Sequence, residues 1–135
     1  MRARFAAALA VIGLITISCG GITDPSKNTV DTFTGTVGVG GSTAHAFTAA
    51  NGGELTVRIT ALAPISSIFV GIEWTQAAND GSCAGNLGVL AQSLAQLNVP
   101  VISGASIISG KYCIVVYDPG TLSAAENYTL TVSHP

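Results

Sequence analysis

The sequence has 135 residues, which is enough for one domain and too short for two of ordinary size. Its composition is 48% hydrophobic and only 9% charged, and this balance excludes a disordered chain, which would combine low hydrophobicity with high charge. The net charge of −2 argues against a nucleic-acid partner, because binding phosphates needs clustered Lys and Arg.

The N-terminus has the pattern of an export signal. Arg2 and Arg4 form a positively charged start, and residues 5–17 follow as an uncharged, mostly apolar run. A run of this length is typical of a signal peptide and is short for a membrane-spanning helix. We therefore predict that residues 1–18 are a cleaved signal. Its removal leaves three basic residues against seven acidic ones, a net charge of −4.

The end of this segment, Thr16-Ile17-Ser18-Cys19-Gly20, resembles the lipobox of bacterial lipoproteins. Ser18 is the small residue before the acceptor Cys19, whereas Thr16 stands where the family usually has Leu or another aliphatic residue. The resemblance implies a diacylglycerol on Cys19, cleavage before it and acylation of the new amine, so that several acyl chains hold the protein to a membrane. Gly20 is not the Asp of the inner-membrane retention signal, which implies an outer-membrane or cell-surface lipoprotein. The alternative is an ordinary secretory signal that releases a secreted or periplasmic protein.

The remaining chain divides into a tether and a domain. Residues 19–30 are rich in polar and turn-forming side chains and are predicted as a flexible tether to a domain of residues 31–135. In that domain apolar and polar residues alternate, which is the pattern of strands with one solvent-exposed face. The segments are 34–39, 43–48, 55–61, 68–74, 112–117 and 128–133. Turn signals separate them, and short strands at this spacing predict an all-β fold, a single antiparallel β-sandwich.

One segment, residues 87–99, fits two structures. Its leucines recur at helical spacing and its helix propensity is high: Leu87, Leu90, Leu94 and Leu97. The neighbouring strands favour a strand at 93–101 followed by a loop, because a lone short helix fits a sandwich poorly. We predict the strand.

Two late segments resemble the end of a bacterial pre-peptidase C-terminal domain. Residues 110–118 (GKYCIVVYD) and 128–132 (YTLTV) match the G-x-Y-x-V-x-V and Y-x-L-x-V strands with which those domains close. The opening strands are matched at residues 33–37, 46–48 and 53–57. The resemblance covers about residues 31–135 and implies a compact, jelly-roll-like sandwich of two antiparallel sheets. It also implies an accessory role, since such domains usually accompany secreted enzymes.

The cysteines predict one disulfide. Lipidation of Cys19 would leave Cys83 and Cys113 as a pair in an oxidising compartment. Cys113 lies on a predicted strand and Cys83 in a loop at 79–86, so the bond would pin that loop to the strand. A free thiol pair is the alternative, and two cysteines alone are too few for a metal site.

No catalytic set, metal site or cofactor is predicted. Gly81-Ser82-Cys83-Ala84-Gly85 has the outline of a nucleophile elbow but lacks the strand–turn–helix context and a His base. The histidines are His45, predicted on the exposed face of a strand, and His134, next to the last residue. Residues 79–82 (NDGS) could offer oxygens to calcium but lack the acid-rich spacing of a loop site, so a turn is predicted.

The aromatic residues Trp74 and Tyr117 are candidates for a sugar-stacking platform, because aromatic faces pack against the apolar faces of sugars. Trp74 is in phase with the apolar positions of its strand and is predicted in the core. Tyr117 shares the face of Cys113 and is predicted to be half-exposed.

The sequence thus predicts a non-catalytic module, held to a membrane by its lipid anchor, that interacts with an envelope protein or polysaccharide. It predicts no cofactor and no nucleic-acid partner. One alternative is a carbohydrate-binding module, which needs an exposed aromatic cluster on one sheet. Another is a small hydrolase, which needs a polar cleft containing His45 and an acid.

Overall fold

The computed structural model describes residues 24–84 and 88–135, which form eight β-strands after one short 3-10 turn. The pairings between these strands are all antiparallel. The turn is Pro25–Lys27, and the strands are β1 (Thr29–Val37), β2 (Ser42–Ala49), β3 (Gly53–Ala63), β4 (Val70–Gln76), β5 (Val89–Ala95), β6 (Pro100–Ile107), β7 (Gly110–Tyr117) and β8 (Glu126–His134). The predicted all-β class is confirmed.

The strands form two four-stranded sheets that pack face to face as a sandwich. Sheet 1 has the strand order β1-β8-β3-β6, and sheet 2 has the order β2-β7-β4-β5. This alternation of strands between two sheets is the order of a jelly roll, in which two Greek keys wrap around one core. The prediction of an antiparallel, jelly-roll-like β-sandwich is therefore confirmed.

The period-2 pattern separates the core from the surface. In β8, Tyr128, Leu130 and Val132 are buried between the sheets, whereas Thr129 and Thr131 lie on the outer face. Burying each such side chain contributes about 1.5–3 kcal/mol relative to leaving it exposed. Both sheets supply the largest fully buried apolar side chains: Leu55, Ile59, Ile72, Ile114, Leu130, Val37, Val57, Val70, Val116 and Val132.

The segment with two possible structures is a strand, but its predicted bounds were wrong. The single strand expected at 93–101 is instead the end of β5, a turn and the start of β6. Asn98 has a left-handed φ of 64° in that turn, and its N–H bonds the Ile59 carbonyl at 2.8 Å. Leu90 and Leu94 are about half exposed, whereas the small Ala95 faces the core. The leucines at helical spacing do not form a core face, because the positions of β5 that pair with core residues are small: Ala91, Ser93 and Ala95.

The structure describes only part of the segment that the N-terminal predictions cover. The signal at 1–18 and Cys19 lie outside the described residues. Strand β1 begins at Thr29, so the last two residues of the predicted tether at 19–30 are strand. The Asn28 amide holds this start by donating to the Glu54 carbonyl at 3.0 Å. Nothing helical in residues 24–84 and 88–135 is both long and apolar enough to cross a membrane.

Candidate functional site

The outer face of sheet 2 carries a half-buried tyrosine at the end of β7. Alternation along β7 turns Tyr112, Ile114 and Val116 into the core and leaves Val115 and Tyr117 outside. Tyr117 is paired with Gly71 of β4 on one side and with Ser42 of β2 on the other. Tyr117 therefore lies on the outer face of sheet 2 with a strand on each side, and its partial exposure agrees with the sequence prediction.

The Tyr117 ring lies directly over Gly71. A Cβ on Gly71 would collide with three atoms of the ring, so only glycine leaves room for the ring at this position. The Tyr117 hydroxyl reaches as far as β5, where Gln92 Nε2 donates a hydrogen bond to it. The ring therefore spans from β7 across β4 to β5, with one face on the β4 backbone and the other turned away from the sheet.

Polar and apolar side chains flank this ring. Glu73 lies between Val115 and Gln92 in the neighbouring row of the sheet, and Leu94 pairs with Gly71. Leu94 is 55% exposed. Glu73 is half-buried and forms no salt bridge in the part of the chain that the structure describes. We call this group the Tyr117 platform: Tyr117, Gly71, Glu73, Gln92 and Leu94.

A second exposed aromatic residue lies beside the platform. Phe69 is 41% exposed and precedes Gly71 by two residues. Val70 is buried and Ile68 packs against the core, so Phe69 points to the outer side, the side of Tyr117. The alternation within residues 68–74 places Phe69 on the same face as Gly71 and Glu73, but the pattern of one strand does not show that the strand carrying Tyr117 lies next to it.

The other aromatic candidate, Trp74, is in the core, as predicted. It is only 7% exposed, and its ring centroid lies 5.7 Å from that of Tyr112 on the inner face of sheet 2. The sheet itself therefore separates Trp74 from Tyr117, and the two cannot form one sugar-stacking surface. Trp74 Nε1 has no hydrogen-bond partner among residues 24–84 and 88–135, and the packing of the ring must offset the cost of burying this N–H.

The loop that follows Tyr117 is held by one carboxylate. Asp118 Oδ1 accepts the N–H groups of Gly120, Thr121 and Leu122, and Oδ2 accepts that of Gly40 at 2.8 Å. The Gly40 hydrogen bond is the main cause that lowers the pKa of Asp118. These bonds tie the end of β7 to the β1–β2 turn and so fix the base of the Tyr117 side chain.

The predicted disulfide between Cys83 and Cys113 is present, with a Cα–Cα distance of 5.9 Å. It fixes the loop after β4 to the outer face of β7, where Cys113 is fully buried. Because Cys83 is bonded, the G-x-C-x-G outline offers no nucleophile. Cys113 lies on the same face of β7 as Tyr117, four residues away along the strand.

Residues 79–82 form the predicted turn. Gly81 N–H bonds the Ala78 carbonyl at 2.8 Å, and Asp80 Oδ1 accepts the Ser82 N–H, also at 2.8 Å. That bond lowers the pKa of the Asp80 carboxyl. Residues 24–84 and 88–135 contain no group of three or more His, Cys, Asp or Glu side chains arranged to hold a metal ion.

The prediction that His45 lies on an exposed strand face was wrong. His45 points between the sheets, where its ring stacks on Phe33 at a centroid distance of 4.8 Å. Its Nε2 shares a hydrogen bond of 2.7 Å with the Tyr128 hydroxyl. Strand β2 buries Phe47 and Ala49, and His45 is in phase with them, which is the signal that sequence reasoning missed.

The structure also separates the groups that a hydrolase would need. Of the acids that face between the sheets, Asp31 binds His134 Nε2 at 3.0 Å and the buried Glu126 accepts the Ile65 N–H, and neither forms a hydrogen bond with His45 in the described residues. His134 is 4% exposed and packs against Phe47. Neither histidine therefore faces an open cleft together with an acid and a nucleophile.

Comparison with known proteins supports the architecture. No protein-family model matches the chain, and no curated protein matches it either. Among solved structures, it is similar to the crystal structure of a Yersinia pseudotuberculosis-derived mitogen. The TM-score is 0.55 at 16% sequence identity, covering 80% of this chain and 87% of that one. The likeness is one of fold alone. A shared fold does not establish a shared function, so any function must be inferred from the side chains of the site itself.

The outer face of sheet 1 offers a weaker surface. A shallow depression of about 420 Å³ lies there, and its walls are mostly small side chains: Thr34, Gly35, Thr36, Ala61, Ala63, Asn127, Tyr128 and Thr129. The Tyr128 ring is buried on the inner side and offers the depression no exposed aromatic face. Binding energy at protein surfaces concentrates on aromatic and charged anchors, which favours the Tyr117 platform over this depression.

The His45 site predicts a pH dependence of stability. Burial lowers the pKa of His45 from its ordinary 6.5, so below pH 6.5 the unfolded chain binds a proton more readily than the folded one. The contribution of His45 is therefore complete above pH 6.5 and is lost as the pH falls below it. In urea unfolding, the wild type should lose more stability between pH 8 and pH 5 than His45→Gln. Equal losses in both proteins would contradict this assignment.

Proposed function

We propose that this chain is an exported, lipid-anchored, non-catalytic β-sandwich module that binds a component of the cell envelope through the Tyr117 platform. The observation that supports binding is the Tyr117 ring, which is partly exposed on the outer face of sheet 2 and is held over Gly71 by a hydrogen bond from Gln92. A rigid aromatic surface loses little conformational entropy on binding, because it is already ordered before the ligand arrives. The platform also lies on strands, which hold side chains more firmly than loops do.

The anchor in this proposal is Cys19. The lipobox-like residues 16–20 and the export signal before them support it, together with an outer-membrane or cell-surface location. A secreted or periplasmic protein is the alternative. The resemblance to pre-peptidase C-terminal domains remains a prediction and fits an accessory binding role.

Metabolic labelling tests the anchor. We expect a labelled fatty acid to enter the wild-type protein, and Cys19→Ala to remain unacylated because it lacks the acceptor thiol. Cys83→Ser serves as the control and should be labelled like the wild type. Equal labelling of the wild type and Cys19→Ala would exclude the lipid anchor at this residue.

Retention on envelope preparations from the source organism tests the binding role. Tyr117→Ala should weaken retention about tenfold, because truncating an aromatic anchor commonly costs more than 1 kcal/mol. The control is Ile108→Ala, which removes an apolar side chain that is 71% exposed in the turn before β7, at the far end of that strand from Tyr117. If both variants are retained like the wild type, the platform is not the binding surface.

A further inference from the structure

The hydrogen-bonding groups of the Tyr117 platform are mostly acceptors. Gln92 uses one of its two amide N–H groups toward the Tyr117 hydroxyl, which leaves its Oε1 to accept, while the second N–H and the Tyr117 O–H remain as donors. The Glu73 carboxylate next to it accepts only, at two oxygens. A ligand that fits this surface must therefore bring several donors, such as the hydroxyl or amino groups of a sugar.

The charge of the platform is negative and uncompensated. Glu73 has no cationic side chain within 4 Å in the described part of the chain. Lys111 carries the one positive charge on the strands of sheet 2, and it lies four residues along β7 from Val115, the strand partner of Glu73, about 13 Å away. A ligand with carboxylate or sulfate groups would be repelled here, and a neutral or cationic one would not.

The apolar part of the platform is planar and extended. The open face of Tyr117 can pack against the C–H face of a pyranose ring, and Phe69 gives a second exposed aromatic surface beside it. Phe69, just before β4, and Gly71, over which the Tyr117 ring lies, are two residues apart, or about 7 Å in extended chain. Two such surfaces in line suit a chain of linked sugars better than a single small molecule.

We infer that the Tyr117 platform binds a polysaccharide of neutral hexoses or hexosamines and discriminates against acidic polysaccharides. Tyr117 stacks on a sugar ring, while Glu73 and Gln92 accept hydrogen bonds from its hydroxyl or amino groups. Glu73 also sets the specificity, because its charge repels uronate carboxylates. This inference rests on the proposed binding role and assigns the chemical class of its ligand.

The test uses the full-length protein, exported and purified from membranes, in affinity electrophoresis through three polymers. The gels contain a neutral β-glucan, chitosan as the hexosamine polymer, and alginate as the uronate polymer. The wild type should be retarded by the β-glucan and by chitosan but not by alginate. Tyr117→Ala should lose about tenfold in affinity for both retarding polymers, the equivalent of about 1.4 kcal/mol, and Ile108→Ala should lose none.

The variant Glu73→Gln tests whether the charge of Glu73 excludes acidic polysaccharides, independently of the stacking on Tyr117. It removes the charge and keeps the size and one acceptor, so it should gain retardation in alginate while remaining retarded by β-glucan. Retardation of the wild type in alginate would overturn the inference. The absence of retardation in both β-glucan and chitosan would also overturn it. If envelope retention still depends on Tyr117 in that case, the binding role stands and only the ligand class is wrong. If envelope retention does not depend on Tyr117, both fail.

Discussion

Reducing the Cys83–Cys113 disulfide should lower the free energy of unfolding by about 3.5 kcal/mol. The bond joins residues 30 positions apart, and breaking it raises the conformational entropy of the unfolded chain, which stabilises the unfolded state. The loss is a large part of the roughly 5–15 kcal/mol that stabilises a typical domain. For a domain of this size it corresponds to a drop in Tm on the order of 15 °C.

Thermal melts with and without reductant measure this effect. Cys83→Ser should melt like the reduced wild type, and the double variant Cys83→Ser, Cys113→Ser should add little, because the two residues act as one unit. The double variant is also the control, since reductant should not change its Tm. A wild type that melts at the same temperature in both conditions would show that the bond contributes nothing to stability.

The second large effect is expected at Gly35 in the middle of β1. A Cβ at this position would lie 2.7 Å from Tyr128 Cζ, well inside van der Waals contact. The Tyr128 ring is 2% exposed and its hydroxyl is bonded to His45, so it has little freedom to move away. Gly35→Ala should therefore destabilise the protein by about 1–3 kcal/mol, as overpacked cores do.

Gly38 provides a matched control on the turn after the same strand. A Cβ there meets no atom within 4 Å, so Gly38→Ala should change stability by less than about 0.5 kcal/mol. A second variant isolates the contact itself. Adding Tyr128→Leu to Gly35→Ala should cost less than the sum of the two single changes, because both act on one clash. Additive costs, or a neutral Gly35→Ala, would show that the ring does not block this position.

The sandwich could be predicted from the sequence because strand alternation and core burial agree. Where apolar residues alternate with polar ones, as at Leu55, Val57 and Ile59, the inward side chains are fully buried. The disulfide could be predicted because, if Cys19 is lipidated, Cys83 and Cys113 are the cysteines left to pair. Both signals are carried by residue type and spacing alone.

The polar side chains between the sheets could not be predicted in the same way. His45 was assigned to the surface by its polarity, but Phe33 and Tyr128 give it a stacking partner and a hydrogen-bond partner there. Both partners come from sheet 1, whereas His45 belongs to sheet 2. Partners that compensate for burial come from distant strands, so the pattern of one strand does not reveal them.

The Tyr117 platform, too, could be predicted only in part from the pattern of single strands. The exposure of Tyr117 followed from its phase on β7, but its position over Gly71 depends on the pairing of β7 with β4. The role of Gln92 depends further on β5, which lies in the segment whose strand was predicted with the wrong bounds. Strand order in a jelly roll is set by the whole chain, so a site that spans three strands becomes visible only in the folded structure.

Chemical-shift mapping tests the central claim, that the Tyr117 platform is the binding surface. Amide spectra of the isotope-labelled protein would be recorded while soluble polysaccharide released from the envelope is added. We predict that the shifts concentrate on Gly71, Glu73, Gln92 and Tyr117 and are absent in Tyr117→Ala. Shifts concentrated on Thr34 and the other residues of the sheet 1 depression, or no shifts at saturating polysaccharide, would contradict the account.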